Sequence, residues 1–178
     1  MADAMQTVVA LSDGAVDGDR IRGYASRFGE ADGSGDVVRP GAFAASLARL
    51  AAEGRQVAFL WQHDPTRPIG VWESVREDVT GLFVEGRILR DVAAGAEALT
   101  LLGAGAMDGL SIGYRVVRAE PRRGGGRSLI EIDLWEVSLV TFPMLPTARA
   151  SFSLPAQGRE ALAGALAEAL AEGHRSHR

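Results

Sequence analysis

The chain has 178 residues, a formal net charge of −4, 47% hydrophobic residues and no cysteine. This length and balance fit one globular domain with a short extension. The acidic charge argues against a nucleic-acid-binding protein, and the lack of cysteine excludes disulfides, a cysteine zinc site and a thiol nucleophile. No run of about 18 apolar residues, the length needed to cross a membrane, is present. The default expectation is a cytoplasmic protein with no membrane or nucleic-acid partner.

Seven β-prone runs precede the end of the chain, and three helical patterns interrupt or follow them. The runs predict strands at Thr7–Leu11, Arg20–Phe28, Val57–Trp61, Ile69–Arg76, Leu82–Leu89, Leu110–Arg118 and Ser128–Val140. The helices are predicted between Pro40 and Gly54, over Val92–Ala106 and over Arg159–Glu172. Pro65 and Pro68 are expected to prevent the third strand from continuing past His63-Asp64-Pro65.

The fold class predicted from this order is mainly β with helices (α+β). The strands and helices do not alternate, so a doubly wound fold is disfavoured. Short connections favour mostly antiparallel pairing of about seven strands, in a barrel or sandwich decorated with helices. Residues 1–150 are expected to form the domain, and 151–178 a linker (Ser151–Gln157) followed by an amphipathic helical tail.

His63 is the first candidate for chemistry, because the other two histidines, His174 and His177, lie in the tail. It extends the strand face of Phe59 and Trp61 at a period of two. A packed histidine that closes a strand explains the pattern equally well. Asp64 would point to the other face of such a strand and is a poor orienting carboxylate.

Ser111 is the second candidate, with a glycine two residues to each side of it. Small neighbours allow a substrate backbone to approach the strand closely, although an ordinary strand serine between turn glycines is common. The five residues also match Gly-x-Ser-x-Gly, the nucleophile elbow of α/β-hydrolases. We reject that reading, since a strand pattern follows Ser111 where the elbow needs a helix.

Glu136 is the third candidate, because it is a carboxylate inside the apolar run Leu134–Val140. A buried carboxylate needs a partner or a raised pKa. A histidine ring would be a suitable partner, and the pair would hold one tautomer. The alternative is an ion pair with Arg115 on the neighbouring strand.

Four motifs in order resemble the HK97-type phage prohead protease family, over roughly residues 20 to 150. They are Gly23-Tyr24-Ala25-Ser26-Arg27-Phe28-Gly29 with Asp36-Val37-Val38-Arg39-Pro40-Gly41-Ala42-Phe43, Trp61-Gln62-His63-Asp64, Gly109-Leu110-Ser111-Ile112-Gly113-Tyr114, and Leu134-Trp135-Glu136-Val137-Ser138-Leu139-Val140. The resemblance implies a serine peptidase related in fold to the herpesvirus assemblins, a closed β-barrel ringed by helices.

The same resemblance implies site residues. Ser111 and His63 are expected to be nucleophile and base. The viral relatives use a histidine as third member, whereas this chain offers Glu136, so a Ser-His-Glu triad is predicted. An arginine loop in those relatives makes Arg149 the candidate oxyanion residue. No metal or organic cofactor is expected.

The family further implies cleavage of the scaffolding segment from the major capsid protein precursor, inside an immature capsid in the host cytoplasm. It also implies removal of the protease's own tail. Activity is expected to be timed by confinement or by formation of a homodimer. Two alternatives remain: an inactive scaffold or assembly factor with the same fold, and a peptidase that acts on cellular proteins.

Overall fold

The computed structural model describes residues 18–152, which form one sheet and two helices. The helices are α1 (Ala44–Ala52) and α2 (Ala93–Gly103). The strands are β1 (Arg20–Arg27), β2 (Val37–Val38), β3 (Ala58–Trp61), β4 (Asp64–Glu77), β5 (Gly81–Ile88), β6 (Gly109–Pro121), β7 (Arg127–Val140) and β8 (Ala150–Phe152). The strand predicted at Thr7–Leu11 and the helix predicted at Arg159–Glu172 lie outside the described residues. Within residues 18–152, neither helix is long and apolar enough to cross a membrane.

The sheet has the strand order β2-β7-β3-β4-β5-β1-β8, with β6 on the other edge of β7. Antiparallel pairs join β1 to β5 and β8, β4 to β3 and β5, and β6 to β7. Strands β2 and β3 each pair in parallel with β7. The predicted mainly β, mostly antiparallel fold with helices is therefore confirmed.

The predicted closed barrel is wrong in the part of the chain that the structure describes. The two ends of the sheet meet at one isolated bridge, between Gly109 of β6 and Arg149 just before β8. Two hydrogen bonds flank it, Leu110 N–H to the Ala148 carbonyl at 2.9 Å and Ala150 N–H to the Asp108 carbonyl at 2.8 Å. Strand β8 is only three residues long and pairs with β1. Among residues 18–152, β6 has no ladder partner on this side beyond the bridge, so the sheet that these residues form is open between β6 and β1.

Two hairpins, β4–β5 and β6–β7, join strands that are consecutive in the chain. The Asp78 carboxylate closes the β4–β5 turn by accepting hydrogen bonds from the backbone N–H groups of Thr80, at 2.8 Å, and Gly81, at 3.1 Å. An aspartate that binds the backbone two residues ahead is a strong turn former. The Arg122 N–H donates to the Gly126 carbonyl at 3.1 Å in the β6–β7 turn, where three consecutive glycines have positive φ.

Two boundary predictions are wrong. Strand β4 begins at Asp64 and runs through Pro65 and Pro68. The β3–β4 register shifts on both sides of the Leu60–Pro68 pair, so Pro65 lies in a gap of the ladder where its missing N–H group is not needed. At the other end, Ser151 and Phe152 form β8 with Ala150 and pair with β1, although the sequence placed them in a linker.

The core is enclosed by the curled sheet and the two helices. Phe59 and Trp72 stack at its centre with ring centroids 3.9 Å apart. Helix α1 is tied to β7, because Ser46 accepts a hydrogen bond from the Leu134 backbone N–H at 2.9 Å and Ala42 accepts one from Ile132 at 3.0 Å. Helix α2 packs on β4 and β5. Helix α1 therefore contacts β7 in the part of the strand that precedes Glu136, and helix α2 covers β4 and β5.

Candidate active site

His63 lies in a left-handed turn between β3 and β4, where Gln62 and His63 have φ of 52° and 62°. Such a conformation costs about 1–3 kcal/mol per residue, so its surroundings must hold it. The Gln62 N–H donates to the Leu139 carbonyl at 3.0 Å, and its side-chain amide donates to the Thr141 hydroxyl at 2.7 Å. The His63 N–H donates to the Ser138 hydroxyl at 3.1 Å. The predicted position of His63 on the strand face of β3 is therefore wrong.

Glu136 is the buried carboxylate of β7, and it contacts the His63 ring. The distance from Glu136 Oε1 to His63 Nδ1 is 2.5 Å, and Glu136 Oε2 accepts a hydrogen bond from the Ser138 hydroxyl at 2.6 Å. The alternative partner, Arg115, binds Asp133 instead, at 3.3 Å. The sequence leaves two possible partners for Glu136, a histidine ring and Arg115, and in the structure the partner is His63.

The Glu136 contact changes the acid–base properties of His63. The hydrogen bond that the His63 ring donates to Glu136 raises the pKa of His63 above its ordinary value of 6.5; burial of the ring opposes this, and the carboxylate charge adds to it. Because Nδ1 faces the carboxylate, the neutral ring carries its proton on Nδ1 and leaves Nε2 free to accept one. The His63 side chain is 43% exposed, so Nε2 can be reached.

Gly113 provides the space in which the Glu136 side chain lies. The two residues are direct partners in the β6–β7 ladder. A Cβ atom on Gly113 would lie 2.1 Å from Glu136 Oε1 and 2.7 Å from Glu136 Cδ. No side chain at position 113 is therefore compatible with the observed carboxylate position. The glycine that suggested open space for a substrate is instead filled by the glutamate.

Ser111 lies on β6, directly opposite Ser138 in the ladder with β7. Residues directly opposite each other project to the same face of a sheet, so Ser111 stands on the face that carries Ser138 and Glu136. It is 6% exposed. The Leu110 N–H is held by the Ala148 carbonyl at the bridge that joins the two ends of the sheet, which fixes the start of this strand.

A cleft of about 360 Å³ opens where β6 and β1 fail to pair. Its walls come from β1, the segment between β1 and β2, β6 and the segment after β7. Both Ser111 and His63 line it, together with Ala25, Ser26, Arg27, Glu30, Asp32, Ser34, Asp36, Val38, Leu110, Ile112, Tyr114, Arg127, Phe142, Met144 and Leu145. Two of these, Phe142 and Met144, are large apolar side chains that are 89% and 56% exposed.

The structure thus brings Ser111 and His63 to one cleft, and Glu136 contacts the His63 ring. Within residues 18–152, however, no hydrogen bond joins the Ser111 hydroxyl to the His63 ring. Catalytic hydrogen bonds are often long in enzymes without substrate and tighten when substrate binds. The arrangement can supply a hydroxyl, a ring nitrogen free to take its proton, and a carboxylate that holds the ring.

A second buried carboxylate shapes the wall of the cleft. Asp36 is almost fully buried and accepts hydrogen bonds from the Arg127 guanidinium, with the shortest contact at 2.5 Å, and from the Arg127 backbone at 2.8 Å. The Arg127 hydrogen bond holds the pKa of Asp36 below its ordinary value, against the effect of burial. Burial, with the nearby negative charges of Asp32 and Asp36, raises the pKa of Tyr114 and keeps its phenol protonated.

Arg149, the candidate oxyanion residue, does not line the cleft. Its guanidinium donates to the Pro146 carbonyl at 2.8 Å and forms an ion pair with Asp108 at 2.5 Å. Its backbone forms the bridge with Gly109, two residues before Ser111. The structure therefore gives this side chain a place in the seam of the sheet rather than beside the serine.

Sequence reasoning missed the role of Ser138. This serine is fully buried and contacts both Glu136 and the His63 backbone. A signal was present, since it is the polar residue two positions after Glu136 in an apolar run. It also missed the Asp36–Arg127 pair, because nothing in the sequence shows that residues 91 positions apart meet. In the described part of the chain, no group of three or more His, Cys, Asp or Glu side chains could hold a metal ion.

The fold and the site define a mostly antiparallel β protein in which a serine and a histidine line one cleft and a glutamate contacts the histidine ring. The chain belongs to the caudovirus prohead serine protease family, whose model matches residues 6–160. It is 35% identical over 129 residues to the prohead protease of Enterobacteria phage HK97. That match covers 69% of this chain and 55% of the relative, so the chain spans little more than half of the relative's length.

A solved structure supports the fold, and a second was compared with it. The bacteriophage T4 capsid assembly protease superposes with a TM-score of 0.56 at 12% identity, over 68% of this chain and 82% of that chain. The varicella-zoster virus protease superposes with a TM-score of 0.47, also at 12% identity, over 75% of this chain and 63% of that chain. The prohead protease resemblance that the four motifs carry is confirmed by the family model and by the HK97 relative.

Proposed function

We propose that this chain is a serine endopeptidase of phage head maturation, with Ser111 as nucleophile, His63 as base and Glu136 as orienting carboxylate. The observation that carries the proposal is the 2.5 Å contact between Glu136 and His63 Nδ1, at a cleft that Ser111 also lines. A hydroxyl, an imidazole and a carboxylate with these relations form the minimum set for acyl transfer.

The proposed reaction begins when Ser111 Oγ attacks the carbonyl carbon of the scissile bond. His63 Nε2 takes the hydroxyl proton as the new C–O bond forms, and Glu136 stabilises the resulting imidazolium. The imidazolium then gives the proton to the leaving amine as the C–N bond breaks. A water molecule, deprotonated by His63, attacks the acyl ester. As the ester C–O bond breaks, the imidazolium returns that proton to Ser111 Oγ, which releases the new carboxyl end and restores the serine hydroxyl.

Arg149 is left out of this mechanism, because its guanidinium is bound to Asp108 and to the Pro146 carbonyl.

Two features of the cleft fit a peptide substrate. It is open at one side of the sheet, and the exposed Phe142 and Met144 at its edge offer apolar surface to an extended chain.

The substrate we propose is the major capsid protein precursor, cut so that its scaffolding segment is released inside the immature capsid within the host cytoplasm. Family membership and the likeness to the HK97 prohead protease support this choice. Removal of the chain's own tail and control of activity by confinement or homodimer formation belong to the same proposal.

Co-expression with the capsid precursor of the same genome tests the proposal. Ser111→Ala is expected to fold as the parent does and to lose cleavage by roughly 10⁴-fold or more, with His63→Ala behaving alike. Ser46→Ala is the matched control, since Ser46 is equally buried but sits on α1 and binds the Leu134 backbone. Undiminished cleavage by Ser111→Ala would exclude the assignment.

A serine-directed phosphonate probe separates the remaining alternatives. An inactive assembly factor with this fold would leave Ser111 unlabelled. A peptidase that acts on cellular proteins would be labelled at Ser111 but would leave purified capsid precursor uncut.

A further inference from the structure

Ser138 contacts both His63 and Glu136, the two residues that we propose act with Ser111. Its side chain is fully buried on β7, and its hydroxyl donates to Glu136 Oε2 at 2.6 Å. The same oxygen accepts the backbone N–H of His63 at 3.1 Å. One hydroxyl therefore holds the far oxygen of the carboxylate and the backbone of the histidine at the same time.

The direction of these bonds makes them mutually reinforcing. The His63 N–H donates to an oxygen whose own proton is donated to an anion, and hydrogen bonds in such a chain strengthen one another. The bond to Glu136 occupies one carboxylate oxygen, so the other is left to meet His63 Nδ1. The bond to His63 holds the second of two consecutive residues with positive φ.

The position of Ser138 on the sheet extends this arrangement to the nucleophile. Ser138 is the direct ladder partner of Ser111 on β6. It is also the parallel partner of Leu60 on β3, three residues before His63. Residue 138 therefore sits between the strand that carries the serine and the strand that leads into the histidine turn.

We propose that Ser138 is a positioning residue for the His63–Glu136 pair, and that its hydroxyl fixes the ring and the carboxylate in register with Ser111. The importance of this for catalysis rests on the proposed function, but the geometry itself does not. Ser138 contributes no atom to the reaction. It acts by holding Glu136 Oε1 at His63 Nδ1 and by keeping the turn closed.

If the Ser138 hydroxyl had only a structural role, its removal would lower the stability of the fold without changing the pKa of His63. The pKa of His63 is therefore the quantity to measure. The chain has three histidines, and His174→Gln with His177→Gln leaves His63 as the single reporter. A Ser111→Ala background prevents self-digestion. The pKa of His63 is then measured by NMR in this background, with Ser138 intact and with Ser138→Ala.

Other charged groups near the ring must be considered in such a titration. Glu136 of β7 is the charged side chain that shifts the pKa of His63. On the turn itself, Asp64 is bound to Thr66, and Arg67 is paired with Glu97. The charged side chains that share the cleft with His63 are Arg27, Glu30, Asp32, Asp36 and Arg127. Because Ser138→Ala leaves all of these in place, a change reports on the Glu136 contact.

We expect Ser138→Ala to lower the pKa of His63 toward 6.5, because the carboxylate loses the bond that aims it at the ring. Ser46→Ala, which removes a buried hydroxyl bound to the Leu134 backbone, should leave the pKa unchanged. An unchanged or raised pKa in folded Ser138→Ala protein would overturn the proposal.

Kinetics on a fluorogenic peptide that spans a cleavage site of the capsid precursor give the second readout. Ser138→Ala should lower kcat by roughly ten- to hundredfold with little change in KM, since a hydrogen bond to a charged group is lost. Ser138→Thr keeps the hydroxyl and should recover part of the loss. If Ser138→Ala and Ser46→Ala have equal kcat, the positioning role is wrong.

The two readouts fail separately. If the parent chain cleaves nothing while the pKa of His63 still depends on Ser138, the proposed function fails and the positioning role stands. If the parent cleaves and both kcat and pKa are indifferent to Ser138→Ala, the positioning role fails and the proposed function stands.

Discussion

Gly113→Ala is the substitution whose effect the structure defines most sharply. Position 113 does not have positive φ, so the backbone accepts an alanine. The three atoms nearest to the new Cβ all belong to the Glu136 side chain, with Oε1 at 2.1 Å. An ordinary contact begins near 3.4 Å, so this oxygen must move by about 1.3 Å (3.4 − 2.1). The 2.5 Å contact with His63 Nδ1 does not survive such a displacement.

The energetic result depends on whether Glu136 is present. With Glu136, a forced extra methyl in a packed site costs about 1–3 kcal/mol. Against this, replacing glycine by alanine at a compatible φ stabilises by roughly 0.4–1 kcal/mol through the unfolded chain. In a Glu136→Ala background the clash is gone and only the favourable effect remains. Gly113→Ala is thus expected to destabilise the parent and to stabilise the Glu136→Ala chain.

Urea unfolding of four chains measures this difference: the parent, Gly113→Ala, Glu136→Ala and the double variant, all carrying Ser111→Ala. The expected coupling energy is about 1–3 kcal/mol. In the active chain, Gly113→Ala should also lose most cleavage while remaining folded. An equal change in unfolding free energy in both backgrounds would refute the reasoning, because the cost would then not arise from the carboxylate.

Three further predictions follow from the pairs described above. Glu136 raises the folded-state pKa of His63 above 6.5, so the protonated ring stabilises the fold below pH 6.5, and this contribution is lost as pH rises through the folded pKa. Urea unfolding across that pH interval should show a fall in the free energy of unfolding of the parent that is absent in His63→Gln. The folded-state pKa of Asp36 is lowered, so its contribution to stability is present above pH 3.8 and is lost as pH falls through the folded pKa. Asp36→Asn should lower Tm by a few degrees at neutral pH, and in thermal scans its Tm should fall less than that of the parent as the pH is lowered. Arg149→Ala removes a side chain bound to Asp108 rather than to the cleft, so capsid-precursor cleavage at saturating substrate should persist, and a loss as large as that of Ser111→Ala would contradict this placement.

Patterns of period two and turn chemistry allowed much of the fold to be predicted. The hairpin at Asp78–Gly81 is set by local chemistry, because Asp78 binds the backbone of the turn that it begins. Glu136 could also be singled out as a candidate from the sequence, since a carboxylate in a strand that is apolar on both faces needs a hydrogen-bond or ion-pair partner. Its choice of His63 over Arg115 depends on the β3–β7 pairing, which no local pattern encodes.

The errors arise where distant hydrogen bonds override local preference. His63 follows an apolar run and was placed on its strand face, yet Ser138, Leu139 and Thr141 of another strand hold it in a left-handed turn. Alternation along β7 also fails at Trp135, which is 57% exposed, because the β6–β7 register shifts beside it. To predict turns and bulges of this kind, one must already know which strands are neighbours in the sheet.

The single bridge between Gly109 and Arg149 limits where the chain can be shortened. Strand β8 follows this bridge at once and holds the open side of the sheet through three pairs with β1, ending at Phe152. A cut before Ala150 would remove β8 and the hydrogen bond from the Ala150 N–H to the Asp108 carbonyl, leaving β6 held mainly by β7. Trimming that keeps this side of the sheet intact must therefore fall after residue 152.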